Sequence, residues 1–262
     1  MNDRIPTMNA PSTASPAGGL YAREIVSESK KALRTPEFAV PTLVLPLLFY
    51  ALFGLVLPRP GSGTAGYLLA TYGIFAALGP ALFGFGAGVA FERDQGVLAL
   101  KQLSPLPPAV YFVAKLATAG AFTLVVLLGL YALAATAGGV ALPREAWLTM
   151  FVVHLASVPG FGLLGLCIGL RLGGSGAMAV TNVCFLLLAV VGGLWFPVYL
   201  FPDWLQAIAL ALPSHHYAEL ALAAIGRTAP GVGAVAVHVA SILVFSAACA
   251  AFAWRAWTRV RG

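Results

Sequence analysis

Residues 91–116, FERDQGVLALKQLSPLPPAVYFVAKL, break into two long apolar runs with charge, a glycine and three prolines. Glu92, Arg93 and Asp94 stop the preceding run, and Gly96 permits a turn. Leu98, Leu100 and Leu103 offer a small apolar face. Pro105, Pro107 and Pro108 then prevent any helix from continuing before Val110. A segment that only returns the chain needs a few polar residues. This one is long, stiff and charged, a form suited to docking.

On either side of that elbow the chain is too apolar for a soluble domain. It has 262 residues, 60% hydrophobic and 9% charged, against roughly 25% charged in soluble domains; its mean hydropathy is +0.90. The composition is that of a polytopic membrane protein. The net charge of +6 comes from basic residues dispersed at the ends of apolar runs, which is how orientation signals are placed and not how nucleic-acid surfaces are built. Cys167, Cys184 and Cys249 each lie inside an apolar run without CxxC spacing, so neither a disulfide framework nor a zinc site has support.

Residues 1–18 are rich in Pro, Ser, Thr and Asn and hold no apolar core of the kind a secretory signal needs; a disordered tail is expected there, with one membrane domain over 19–262. Between Leu20 and Phe38 the chain becomes amphipathic, Leu20, Ile25 and Leu33 opposing Arg23, Glu24, Glu28, Lys30, Lys31 and Arg34. The pattern predicts a helix along the membrane surface, its basic residues facing lipid head groups and Pro36 marking its end.

Six spans are predicted, near 38–57, 67–91, 110–137, 146–170, 177–200 and 233–254. Each reaches the roughly 20 apolar residues that cross the hydrocarbon core, and a lone segment in lipid must be helical to satisfy its backbone. The expected class is an all-α membrane protein. With the amino terminus inside, twelve basic residues fall on the inner side and only Arg59, Arg144 and Arg227 on the outer. Both termini and the elbow are therefore expected to be cytoplasmic.

Residues 201–231, FPDWLQAIALALPSHHYAELALAAIGRTAPG, hold two apolar pieces, Trp204–Leu212 and Tyr217–Ile225, each too short to cross. A re-entrant pair of short outer helices fits that spacing. Pro202 and Asp203 suit the first start, Ser214 is a candidate cap for the second, and Trp195, Tyr199 and Trp204 form an expected aromatic edge.

This order, an amphipathic helix, six spans, ERDQGVLALKQLSPLPP after the second and WFPVYLFPDWLQAIALALPSHHYAELALAAIG after the fifth, resembles the membrane subunit of type-2 ABC exporters from Leu20 onward. The most specific matches are Glu92, Arg93, Gly96, Leu103 and Pro105 in the elbow, with Pro197, Pro202, Trp204, Leu212, Pro213 and Gly226 in the outer segment. The resemblance implies that Glu92, Arg93, Asp94, Gly96, Leu98, Leu103 and Pro105 couple to an ATP-hydrolysing subunit. It likewise implies that Pro197, Pro202, Trp204, Pro213, His215 and His216 belong to an outer gate, and that two permease copies work with two ATPase subunits. ATP and Mg would reside on the ATPase, and no cofactor or metal is expected on this chain. Independently, the four lysines, Lys30, Lys31, Lys101 and Lys115, never follow glycine, as a phosphate-binding loop requires.

Other candidates carry less. His154 and His238 fall within spans, where an ionisable group is a functional hypothesis, although a neutral histidine bonded within the bundle is the simpler reading. His215 and His216, being adjacent, point apart on a helix, so a metal would need ligands from elsewhere; solvated or gate-lining roles suit them better. Gly84 with Gly88 and Gly165 with Gly169 have the spacing of close helix approach. No carboxylate pair is placed for acid–base chemistry. A secondary transporter would need broken central helices or buried charges for ion coupling, and a membrane scaffold would need neither. Tyr72, Phe75, Phe83, Phe85, Phe151, Phe161 and Phe185 suit a hydrophobic or amphipathic cargo, and the exporter resemblance leaves a drug-like, lipid-like or glycan substrate open.

Overall fold

Leu68 through Leu82 are buried without a break, and a helix apolar on every side needs neighbours on every side. The computed structural model, which describes residues 17–59, 62–103, 107–227 and 232–260, supplies them. In chain order the helices are α1 Ala17–Leu33, α2 Pro36–Tyr50, α3 Thr64–Phe85, α4 Ala87–Asp94, α5 Val97–Leu103, α6 Pro108–Thr136, α7 Arg144–Gly169, α8 Gly174–Val190, α9 Asp203–Ala209, α10 Pro213–Ala224 and α11 Val232–Val260. The described residues contain no strand. The expected tail up to residue 16 and Pro105 lie outside them.

Among the described residues, five stretches are long and apolar enough to cross a membrane: Pro36–Val56, Thr64–Asp94, Pro108–Thr136, Arg144–Gly169 and Ala234–Thr258. The second of these, α3 continued by α4, is the central pillar, packed against α2, α6, α7, α8 and α10. Helix α2 contains Pro41 and Pro46 and passes into a π-helical turn, Ala51–Val56, where Leu57 N–H reaches back to Leu52 O at 3.0 Å. Proline removes a donor from the ladder, and neighbouring helices make such breaks tolerable in a span.

Lipid is as apolar as leucine, so helices in it associate by close packing and hydrogen bonds more than by hydrophobic gain. Gly165 and Gly169 are where α7 meets the α3–α4 junction. A Cβ on Gly165 would stand 2.7 Å from Leu82 O, and one on Gly169 would stand 2.5 Å from Phe85 O. That half of the glycine spacing serves close approach. Gly84 has nothing within 4 Å of an added Cβ, and its spacing with Gly88 makes no such seam.

The expected fifth span was to run to Leu200, but α8 ends at Val190. Its carboxyl end turns at Gly193, whose φ of 82° is open to glycine, and Leu194 N–H closes the turn on Ala189 O at 3.0 Å. Trp195 is thereby folded inward, 5.4 Å from Phe49 and 5.5 Å from Phe75 between ring centroids. It does not join the expected aromatic edge. Tyr199 and Trp204 are exposed.

Helix α9 starts at Asp203 after Pro202, as the residue pattern anticipates, and α10 starts at Pro213. Ser214 is not its cap, because proline occupies the first helical position and Leu212 precedes it. The two short helices differ in setting: α10 is packed among α3, α7, α8 and α11, whereas α9 keeps Asp203, Trp204 and Ile208 exposed.

Candidate functional site

Charge inside an apolar bundle is costly unless it finds partners, and one end of this bundle is built on that requirement. Lys115 enters α6 seven positions after Pro108, about two turns in. Its Nζ lies 2.6 Å from Glu28 Oε1 on α1 and 3.1 Å from Glu92 Oε1 on α4. The side chains of Lys115 and Glu92 are each 3% exposed. Lys31 on α1 also pairs with Glu92, and the Tyr111 hydroxyl donates to Glu92 Oε2 at 2.5 Å. Lys101 on α5 pairs with Glu24 at 2.6 Å and sits 4.7 Å above the Tyr111 ring. Three carboxylates and three ammonium groups thus join α1, α4, α5 and α6 into one block, with Ser29 and Thr118 in hydrogen-bond contact at 3.0 Å.

The arrangement revises the amphipathic reading of α1. Glu24, Glu28 and Lys31 recur at helical spacing and face the bundle, while Val26 and Leu33 are exposed. The acids are anchors, and the helix turns part of its apolar side outward.

Arg93 and Asp94 act on a different junction from Glu92. The Arg93 guanidinium donates to Gly169 O at 3.2 Å and Leu172 O at 2.7 Å, at the carboxyl end of α7. Asp94 Oδ2 accepts from Gly174 N–H at 2.6 Å, at the amino end of α8. Each charge complements the helix end it meets. Gly96, with φ of 73°, turns the chain from α4 into α5.

The elbow's leucines do not form one exposed face. Leu98 is 2% exposed, buried with Val89, Tyr111, Leu166 and Trp257. Leu100 and Leu103 point outward, Leu103 at 84%. The expectation that Leu98 would meet a partner is corrected, because α5 is a helix, on which residues two positions apart such as Leu98 and Leu100 face opposite sides.

At the other end, Pro197 opens a 3-10 turn, Val198–Leu200, and Arg227 donates to Gly63 O at 2.6 Å. His215 and His216 are buried on α10 and not solvated. Burial, then the neighbouring His216 and His238, lowers His215 to about 4, so its imidazole is neutral at ordinary pH. His216 Nδ1 and His238 Nδ1 are 2.8 Å apart, which requires one ring to donate and the other to accept. No metal-holding group of His, Cys, Asp and Glu occurs among the described residues. His154 is bonded within the bundle: its Nε2 lies 2.9 Å from Ala70 O and so carries the proton, leaving Nδ1 to accept from Tyr131 at 3.2 Å.

A cavity of about 560 Å³ opens between α2 and α8 beside α3 and α4. Phe75, Phe83 and Phe185 line its apolar part, and Glu28, Lys31, Glu37, Glu92 and Lys115 line its charged end. Sequence reasoning missed Tyr111 and Lys115 as functional candidates. The available signal was a lysine placed within an apolar run, which calls for a partner.

A model of the family described as ABC-2 type transporter matches residues 23–225, from α1 through α10. The protein named "Putative transport permease YvfS" of Bacillus subtilis (strain 168) is 27% identical over 227 residues, covering 85% of this chain and 92% of that protein.

Proposed function

This chain belongs to the ABC-2 type transporter family, and from that premise we propose that it is the multi-pass permease of an ATP-driven exporter for hydrophobic or amphipathic molecules. A separate ABC-type ATPase, present in two copies with its ATP and Mg, drives two copies of the permease. The chain crosses the cell membrane six times with both termini cytoplasmic. Helix α8, at 17 residues only about 26 Å long, is the fifth crossing, completed by the turn that follows it. Helices α9 and α10 form the re-entrant outer gate.

The observation that carries the reading is the ionic block around Glu92. It fastens α1, the end of the second span and α5 together, so a push on α5 moves the central pillar with it. A motor subunit docked on the exposed side of α5 has a lever. Buried charge could also suggest ion coupling, but these charges are mutually paired at one end of the bundle and absent from its middle.

Co-reconstitution with the companion ATPase tests the proposal. ATP-dependent uptake into inverted vesicles, with cargo-stimulated hydrolysis, is expected. Uptake driven by an ion gradient without ATP would make the chain a secondary transporter, and a complex that moves nothing would make it a scaffold.

A further inference from the structure

The cavity between α2 and α8 has a charge imbalance that its shape makes meaningful. Both helices pack against α3, leaving a slot that follows the pillar from Phe75 to Gln95, on the order of 25–30 Å of helix. Its volume of about 560 Å³ is mid-range for a small-molecule site, and lining residues spaced along that length leave room for an extended chain. The wall is apolar along Phe75, Phe83 and Phe185. Phe83 and Phe75 flank Phe185 at 5.4 and 5.5 Å between ring centroids.

At the charged end, three carboxylates and two ammonium groups line the slot. Both ammonium groups are committed: Lys115 to Glu28 and Glu92, Lys31 to Glu92. Glu37, in the first turn of α2, has no ion-pair partner among the described residues. Its chain neighbour Phe38 also lines the slot, its ring centroid 5.6 Å from that of Phe122, and aromatic faces favour a cation near a carboxylate.

We infer that this slot binds a single-chain amphiphile with a cationic head, the tail along Phe75, Phe83 and Phe185 and the head at Glu37. The inference rests on the transport reading for its biological meaning, but binding is measurable on the permease alone. Full-length protein in nanodiscs of zwitterionic lipid is titrated calorimetrically with dodecyltrimethylammonium, dodecylsulfonate and dodecyl maltoside, with empty nanodiscs subtracted.

The cation is expected to bind about fivefold more tightly than the neutral probe, the upper end for one exposed ionic contact, and the anion more weakly still. Glu37→Gln should bring the cation to the neutral probe's affinity and leave the neutral probe unchanged. Phe83→Ala should weaken all three together. Equal affinities for the three heads, an E37Q loss shared by cation and neutral probe, or no binding because a second copy fills the slot would each overturn the inference. A permease that shows ATP-driven uptake without head-charge preference refutes only this assignment. One that binds the cation with the E37Q signature yet moves nothing with its ATPase refutes only the transport reading.

Discussion

Lys115 Nζ stands 3.1 Å from Glu92 Oε1, with both side chains almost wholly removed from solvent. The two residues are on different spans, and neither could hold its charge there alone. Their contact joins the end of the central pillar to α6, and through Glu28 and Lys31 it recruits α1. An isolated amphipathic helix becomes part of the bundle by this means.

Glu92→Ala removes the shared acceptor of Lys31, Lys115 and Tyr111. Breaking one side of a buried pair costs about 3–5 kcal/mol; here about 3 kcal/mol is expected, because Lys115 retains Glu28. Lys115→Met should cost a similar amount, and the double variant clearly less than the two losses added. Reversible unfolding in mixed micelles gives all three values. Additive losses would mean that the pair is not coupled.

Asp94→Ala should loosen the start of α8 and not the α1 block. Loss of a carboxylate that accepts from a first-turn amide costs about 0.5–2 kcal/mol. The expected signature is faster hydrogen exchange at Gly174 and its neighbours, with the α1 amides unchanged. Faster exchange in α1 would place Asp94 in the Glu92 network instead.

Two glycines near the α3–α4 junction, Gly84 on α3 and Gly165 on α7, should respond oppositely to a methyl group. In Gly165→Ala the new Cβ meets backbone at Leu82 and Gly86, forcing α7 away from α3 for about 1–3 kcal/mol. In Gly84→Ala it meets nothing within 4 Å, so stability should hold or rise by up to about 1 kcal/mol through helix propensity. Because Gly84 lines the cavity, the same variant should bind cargo more weakly. Thermal unfolding and ligand titration of both proteins separate these effects.

How far the sequence reaches is visible at particular residues. The helical class and most spans follow from apolar runs, because length and backbone satisfaction in lipid leave few options. Pro202, Asp203 and Gly96 announce their turns through local backbone chemistry. The early end of α8 was hidden, since residues 191–200 remain largely apolar and the paired Gly192 and Gly193, with Pro197 beyond them, are the hints of a turn. The inward rotation of Glu24 and Glu28 was hidden for another reason. It depends on Lys101 and Lys115, 77 and 87 positions away in the chain, and no local pattern records such a partner.

The proposed sidedness rests on the placement of basic residues near the span ends. Lys101 stands in the ionic block, whereas Arg227 reaches Gly63 at the opposite end. Single cysteines replacing Arg59, Arg144 and Arg227 in a background lacking the native cysteines should react with an impermeant reagent in intact cells. A cysteine at Lys101 should react only after lysis. Labelling of that position in intact cells would invert the topology.

The elbow offers the sharpest test, because Leu98 and Leu103 have opposite roles. Leu98 is buried against Val89, Tyr111 and Trp257, so Leu98→Asp places an unpaired carboxylate in a packed cluster at a cost of several kcal/mol. That variant should lose the docked α5 and fold poorly, with or without an ATPase. Leu103 is 84% exposed, so Leu103→Asp should leave stability within about 0.5 kcal/mol of the parent. Against a motor subunit, however, the new carboxylate enters an interface that must exclude water. Co-purification of the ATPase should fall at least tenfold, and hydrolysis should lose its response to cargo. Leu103→Met, which keeps an apolar side chain of similar volume, should retain both properties. If Leu103→Asp binds the ATPase normally and transports at the parent rate, the exposed side of α5 is not the docking surface, and the lever assigned to the Glu92 block has no motor attached to it.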